Sequence, residues 1–144
     1  MSPMPLMQLV CVGRDGVART FFLEYEQVEF EITETWHFRV FRSNPPALSE
    51  DFFDLVLERF DASHYVITEI SHHTEPSYEQ KGIPDSLIPQ AARILGCRIV
   101  SSSNRKPRRQ NEYRNDAADR YWARLVKRKM AAYDELEDRF RLPP

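Results

Sequence analysis

The sequence predicts an α/β protein with one α+β mixed sheet, in which an antiparallel N-terminal meander precedes a β-α-β crossover. Apolar and polar side chains alternate most clearly over residues 28–41, a pattern typical of a half-buried antiparallel strand, which a break near residues 33–35 could divide. Over residues 65–101, an apolar run, a glycine turn, an amphipathic segment and a second apolar run follow one another. Such a unit forms a right-handed crossover between parallel strands, and we expect helices on both faces of the sheet.

The first half of the chain is predicted to form three strands and one helix. Apolar and aromatic residues favour strands over residues 7–12 and 17–25, and Asp15-Gly16 supplies the turn between them. Paired prolines at residues 45–46 end the meander, because proline cannot donate to a sheet ladder. A polar N-cap and acidic first turn then precede an apolar run, so residues 52–60 are predicted to be a helix.

The crossover helix is predicted from about Pro84 to Leu95. Pro84 suits the first helical turn, where its missing N–H is not needed, whereas Pro89 predicts a short or distorted first turn. Gly96 is a natural C-cap, and the apolar run at residues 97–101 predicts the following strand.

The last third begins with a polar, basic loop and continues into a long helix that starts near Glu112 or Asn115. Apolar residues spaced at three and four over residues 117–126 indicate one buried stripe on this helix. Farther on, residues 133–137 could extend the helix and residues 139–142 could form a last short strand. The predicted order is β-β-β-α-β-α-β-α, with a final strand left open.

Length and composition predict one domain over residues 1–144. The chain has 144 residues, is 42% apolar and carries a net charge of −2, so it can bury a core and has no global field that attracts nucleic acid or a membrane. No uninterrupted apolar stretch approaches the ~20 residues that span a bilayer. The N-terminus lacks a signal-peptide pattern, and Cys11 and Cys97 lie in β-like runs as expected for reduced thiols. We therefore expect a cytoplasmic protein without membrane partners.

Residues 76–88 form the stretch with the clearest chemical potential. A turn containing Gly82 leads from a strand into a helix, and free N–H groups and the positive end of the helix macrodipole converge there. This arrangement predicts an anion-binding site at the helix N-terminus.

The same stretch resembles the GCN5-related N-acetyltransferase (GNAT) superfamily. The family pattern is Pro-x-Tyr-Arg-Gly-Lys-Gly-Ile-Gly, and five positions match at the same spacing: Pro76, Tyr78, Lys81, Gly82 and Ile83. The family's later Asn-x-x-Ala pattern corresponds to Asn115 and Ala118, and the order of elements is also similar. The resemblance implies an acetyltransferase-like fold that transfers an acetyl group from acetyl-CoA, or from another acyl-CoA, to an amine by direct attack.

The resemblance also implies which residues hold the cofactor and catalyse transfer. The turn would contribute Gln80, Lys81, Gly82, Ile83 and Asp85, with Ser102 at the end of the next strand beside the cofactor groove. Glu69, on the strand before the turn, would be the general base, unless it faces solvent on the polar side of the pleat. Tyr121 would be the acid toward the departing thiolate, unless it is only a core residue. His72 and His73 lack a third ligand at metal spacing, so no metal is expected.

Three departures from the family pattern favour an alternative function. Glu79 stands where the family carries glutamine or arginine, and Pro84 removes one backbone N–H from the turn. Trp122 stands where many members carry a tyrosine acid. The alternative is a non-catalytic acetyltransferase-like scaffold that binds a protein or nucleic-acid partner.

A cluster of four basic residues leaves three interpretations open. The cluster comprises Arg105, Lys106, Arg108 and Arg109. It could contact the 3′-phosphate of the cofactor, touch nucleic acid or an acidic partner, or be solvated surface. No aromatic residues interleave with these cations, so a nucleic-acid groove is not favoured.

Overall fold

The structure is a computed structural model that describes residues 6–29, 32–46, 51–70 and 78–143. Its elements are β1 (Met7–Val12), β2 (Ala18–Val28), β3 (Thr35–Phe41), β4 (Phe53–Asp61), β5 (His64–Ile70), α1 (Ile83–Leu95), β6 (Arg98–Val100), α2 (Asp116–Lys127), β7 (Ala132–Asp134) and β8 (Arg139–Leu142). The predicted α+β class with a mixed sheet is confirmed.

The strands form one eight-stranded sheet in the order β1-β2-β3-β4-β5-β6-β8-β7. Strands β1 to β5 pair antiparallel in chain order, which confirms the N-terminal meander. Strand β5 then pairs in parallel with β6 after the chain passes through α1, which confirms the predicted parallel pair. Strand β8 lies between β6 and β7 and is antiparallel to both.

The predicted helix over residues 52–60 is wrong, because this segment is strand β4. Its apolar residues fit a two-residue period: Phe53, Leu55 and Leu57 are buried, while the residues between them are only half-buried. Neighbouring strands β3 and β5 pair with both of its edges and satisfy its backbone groups. The N-cap and the first acidic residue predicted for that helix, Ser49 and Glu50, lie outside the described residues.

Other boundaries moved by a few residues. The alternating segment is divided before Thr35, as the possible break near residues 33–35 predicted, and Val28 belongs to β2, where it is the register partner of Thr35. Helix α2 begins after Asn115, whose side chain accepts a hydrogen bond from the Ala118 N–H at 2.8 Å. The predicted last strand is confirmed as β8, whereas the possible helical extension is a hairpin that begins with β7.

Helices and sheet share one buried cluster. The cluster joins side chains such as Phe38 and Leu55 of the sheet to Ile88 of α1 and Trp122 of α2, and the two helices also contact each other. The prediction of helices on both faces of the sheet is not confirmed. Neither helix of the described chain is long and apolar enough to cross a membrane.

On the other side of β4 and β5 lies a loop instead of a helix. Glu58 is the register partner of Val66, so their side chains point to the same face. The Glu58 carboxylate accepts a hydrogen bond from Asn111 Nδ2 at 3.1 Å. The polar, basic loop that follows β6 therefore covers this part of the sheet.

Candidate functional site

The candidate site is the cleft that opens where β5 and β6 separate. The two strands pair at only three positions, the last being Val66 with Val100. Beyond that point β5 continues to Ile70, while the chain after β6 turns away and leaves a cavity of about 450 Å³. Ligands in open α/β sheets bind at the carboxyl ends of parallel strands where neighbouring connections diverge. The cleft occupies this position.

A β-bulge shapes the β5 wall of the cleft. Ile67 pairs with Leu57, and Glu69 pairs with Val56. Thr68 is therefore an extra residue in β5, with no partner between Val56 and Leu57 on β4. A bulge leaves its extra residue unpaired in the ladder and bends the strand. Across the cleft, Ser102 Oγ donates a hydrogen bond to the Ile67 carbonyl at 2.6 Å. Ser102, predicted beside the cofactor groove, lines the cleft and ties its two walls together.

Both predicted catalytic residues line this cleft. Glu69 is exposed, which matches the solvent-facing alternative, yet it borders the cavity. Tyr121 is 4% exposed, and burial raises the pKa of its hydroxyl well above the usual range. Because that hydroxyl stays protonated at neutral pH, it cannot act as a base, and the raised pKa makes it a weaker proton donor than an ordinary tyrosine. Trp122 lies beside it and stacks on Phe140 with ring centroids 5.6 Å apart.

The predicted cofactor turn does not line the cleft, and the β1–β2 hairpin packs against it. Gly82 is the N-cap of α1 with φ 77°, and a Cβ added there would lie 2.0 Å from the Val12 carbonyl oxygen. The Arg14 N–H donates to the Gln80 carbonyl at 2.9 Å. In the same hairpin, a hydrogen bond from Arg19 lowers the pKa of Asp15, with a smaller contribution from Lys81. The turn is thus partly occupied by the protein's own hairpin.

Two further predicted cofactor residues hold the helices in place. The Ile83 side chain is fully buried in the core. The Asp85 carboxylate is buried and accepts hydrogen bonds from Arg124 Nε and Nη2 at 2.8 and 2.9 Å. This bidentate pair links α1 to α2. Any contribution of these two residues to ligand binding would come from their backbone N–H groups.

The basic loop makes hydrogen bonds and ion pairs within the protein. Arg105 Nη2 donates to the Glu135 carbonyl at 3.0 Å, and Arg108 pairs with Glu137 at 3.2 Å. Arg109 donates to the Arg59 carbonyl. Lys106 is exposed, and its backbone N–H donates to Ser103 Oγ. Three of the four basic side chains thus have partners within the protein, and their presence in the loop does not require a bound ligand.

Two buried ion pairs beneath this loop were missed by the sequence analysis. Arg114 pairs with Asp138 at 2.9 Å, and Arg139 Nη2 donates to Glu112 at 3.0 Å. Burial opposes ionisation of Glu112, but the hydrogen bond from Arg139 and two backbone N–H groups lower its pKa. The partners lie 24 and 27 positions apart, so no local pattern marked them.

Asp54 is the cleft residue that the sequence analysis overlooked. It lines the cavity from β4, a segment that had been predicted as helix. His37 Nε2 lies 3.7 Å from its carboxylate. Alternation of Phe53, Leu55 and Leu57 is the signal that could have placed Asp54 on the polar face of a strand.

Searches against protein-family models, curated proteins and solved structures found no match to this chain. The described residues contain no group of three histidine, cysteine, aspartate or glutamate side chains that could hold a metal ion. His72 and His73 lie outside the described residues. The Asn-x-x-Ala spacing has a local explanation, since Asn115 caps α2 by accepting from Ala118. The resemblance to acetyltransferases therefore stays a prediction.

Proposed function

We propose that the protein transfers an acetyl group from acetyl-CoA, or another acyl-CoA, to an amine. The observation that carries this proposal is the cleft between the separating ends of β5 and β6, which brings Glu69 and Tyr121 to one cavity. These residues supply a carboxylate that can accept a proton and a hydroxyl that can donate one. Amide formation from a thioester needs both.

The proposed reaction is a direct attack within a ternary complex. The nitrogen lone pair of the neutral amine attacks the thioester carbonyl carbon, so a C–N bond forms and the C–S bond breaks. Glu69 accepts the proton lost by nitrogen, directly or through water, and Tyr121 donates its proton to the departing sulfur. An N–H left unpaired by the bulge at Thr68 would stabilise the negative charge on the carbonyl oxygen.

The start of α1 offers partial support for holding the cofactor's pyrophosphate. Gly82 makes no side-chain capping hydrogen bond, so the first-turn N–H groups are not used by a cap. Gln80 is exposed and Lys81 is half-buried, so neither side chain is enclosed in the core. Pro84 removes one donor, and the hairpin contact at Gly82 narrows the space.

A thermal-shift titration with acetyl-CoA tests the proposal. A ligand at 100 times its dissociation constant stabilises the folded state by about 2.7 kcal/mol, so specific binding raises the melting temperature. Lys81→Glu should abolish the shift, whereas Lys129→Glu, the same charge change at an exposed residue outside this turn, should retain it. No shift of the unmodified protein at millimolar acetyl-CoA would contradict the proposal.

The second candidate is a non-catalytic scaffold of the same architecture. The observation that favours it is the contact of Val12 and Arg14 with the turn, together with Pro84 at the start of α1. Three arginines of the basic loop already have partners within the protein, so they are less available to phosphate groups. A protein partner is therefore favoured over nucleic acid. This candidate predicts a folded protein whose melting temperature does not respond to acetyl-CoA.

A further inference from the structure

Tyr113 is an exposed aromatic residue in the lining of the cleft. It is 73% exposed, whereas the other aromatic residues of the lining, Tyr121 and Trp122, are 4% and 1% exposed. Of the lining residues that the structure describes, Glu69 is the other exposed one. A ligand that enters the cleft can therefore cover the Tyr113 ring, while the two buried rings offer it little surface.

The Tyr113 ring is not engaged by the described part of the protein. It makes no hydrogen bond, ring contact or cation contact with residues 6–29, 32–46, 51–70 or 78–143. By contrast, Tyr121 contacts Trp122 with ring centroids 6.1 Å apart, and the Tyr133 hydroxyl donates to Asp138 at 2.7 Å. These other tyrosines have structural contacts, whereas the Tyr113 ring is available to a ligand.

The residue after Tyr113 is held by its backbone and by its side chain. Asn104 Oδ1 accepts from the Arg114 N–H at 2.7 Å, and Asn104 Nδ2 donates to the Arg114 carbonyl at 2.8 Å. The buried Arg114 guanidinium pairs with Asp138 at 2.9 Å and donates to the Ser102 carbonyl at 2.8 Å. Because Ser102 also lines the cleft, these bonds fix the chain beside Tyr113 to the cleft wall.

The residue before Tyr113 is held as well. The Glu112 carboxylate is buried and accepts hydrogen bonds from the Ser103 N–H at 3.1 Å and from Arg139 Nη2 at 3.0 Å. Tyr113 thus lies between two anchored residues, so its backbone position is set before a ligand arrives. A tyrosine on a fixed backbone presents a flat ring at a low cost in conformational entropy, because only two side-chain torsions are involved.

We infer that Tyr113 forms a stacking subsite in the cleft, which takes a planar aromatic ring of the ligand. Contact between two rings raises affinity about two- to tenfold beyond the effect of buried area. Under the proposed function, either the amine acceptor or the adenine of the cofactor could carry the ring. The choice between these two sources rests on the proposed function, whereas the stacking itself does not.

The test uses two matched pairs of ligands, each titrated by NMR into the protein without an acyl donor. Phenethylamine and cyclohexylethylamine share the amine, the spacer and the number of carbon atoms, but only the first has a flat ring. The saturated ring has no less apolar surface, so tighter binding of phenethylamine by about two- to tenfold would report stacking and assign the ring to the acceptor. Tighter binding of adenosine than of ribose, without a preference within the amine pair, would assign the ring to the cofactor.

Variants attribute the preference to Tyr113. Tyr113→Phe retains the ring and should retain the preference for the aromatic ligand. Tyr113→Leu removes the ring and should abolish that preference, while the affinity for the ligand without an aromatic ring stays unchanged. Because the side chain is exposed, both variants should unfold at the urea midpoint of the unmodified protein.

Equal affinities within both pairs, or a preference that survives Tyr113→Leu, would overturn the inference. If Tyr113→Leu does not fold, the ring protons of Tyr113 decide: the aromatic ligand should shift their resonances, and resonances that do not move would also overturn it. The proposed function fails separately, on the absence of a thermal shift with acetyl-CoA. A protein that stacks phenethylamine on Tyr113 but does not respond to acetyl-CoA would keep this inference and lose the proposed function.

Discussion

Replacing Gly82 by alanine measures how closely the β1–β2 hairpin packs against the start of α1. Gly96, the C-cap of the same helix, is the matched control because both glycines have positive φ, 77° and 62°. A Cβ at Gly96 meets nothing within 4 Å. Gly96→Ala should therefore lower the free energy of unfolding only by the cost of placing alanine in the left-handed conformation, about 1–2 kcal/mol. A Cβ at Gly82 would lie 2.0 Å from the Val12 oxygen and 2.8 Å from its carbonyl carbon.

Because the atoms nearest this added Cβ are backbone atoms of Val12, the hairpin itself must move to accommodate it. Such overpacking adds about 1–3 kcal/mol, which brings the total for Gly82→Ala to about 2–5 kcal/mol. Urea denaturation of the two variants gives the difference from their midpoints, provided that the slopes agree. Equal destabilisation of Gly82→Ala and Gly96→Ala would refute the packing of Val12 against this turn. A substitution at Gly82 therefore disturbs the fold as well as the turn. Loss of cofactor binding in such a variant would not by itself show that the turn binds the cofactor.

Three further outcomes are expected. Lys129→Gly should stabilise the fold by about 1 kcal/mol in urea denaturation, because Lys129 is exposed and has φ 63° just after the C-cap of α2; an unchanged midpoint would contradict this. A thiol reagent at pH 8 should modify Cys97 and leave Cys11 unmodified until the protein unfolds, since Cys11 is fully buried and burial raises its pKa to about 11; rapid reaction of two thiols in the folded state would be inconsistent with this. Burial opposes ionisation of Asp138, but hydrogen bonds from Tyr133 and Arg114 outweigh it and lower the pKa, so its contribution to stability is complete above the ordinary aspartate pKa of about 3.9 and is lost as pH falls below it. Asp138→Asn should therefore flatten the loss of stability in acid, and an unchanged acid midpoint would show that Asp138 does not control it.

Part of the candidate site was predictable because its residues carry local signals. Glu69 follows an apolar strand, and Tyr121 lies on the apolar stripe of a helix, so both could be placed on elements that flank a crossover. Their meeting in one cleft depends on where β5 and β6 stop pairing, which the sequence does not state. Asp54 was missed because its segment was assigned the wrong period.

The partners of the charged residues show the same limit. Asp85 was predicted to serve the cofactor turn, yet it pairs with Arg124, which lies 39 positions later. Arg108 and Arg109 were counted as a basic patch, yet both lie over the ring of Phe60 at 4.8 and 5.3 Å. Interactions between residues this far apart produce no periodic pattern in the sequence. A count of neighbouring basic residues therefore overestimates the positive charge that is available at the surface.

The sequence by itself determined the features that depend on a few neighbouring residues. Gly96 ends α1 in a left-handed conformation, Asn115 caps α2 with its side chain, and Asp15-Gly16 turns the first hairpin. The tertiary structure decided between helix and strand for residues 53–61, because their apolar residues fit both periods until two neighbouring strands bond the backbone. It likewise decided that the turn at Gly82 faces the protein's own hairpin and that the open cavity lies at the ends of β5 and β6, since both depend on how distant segments pack.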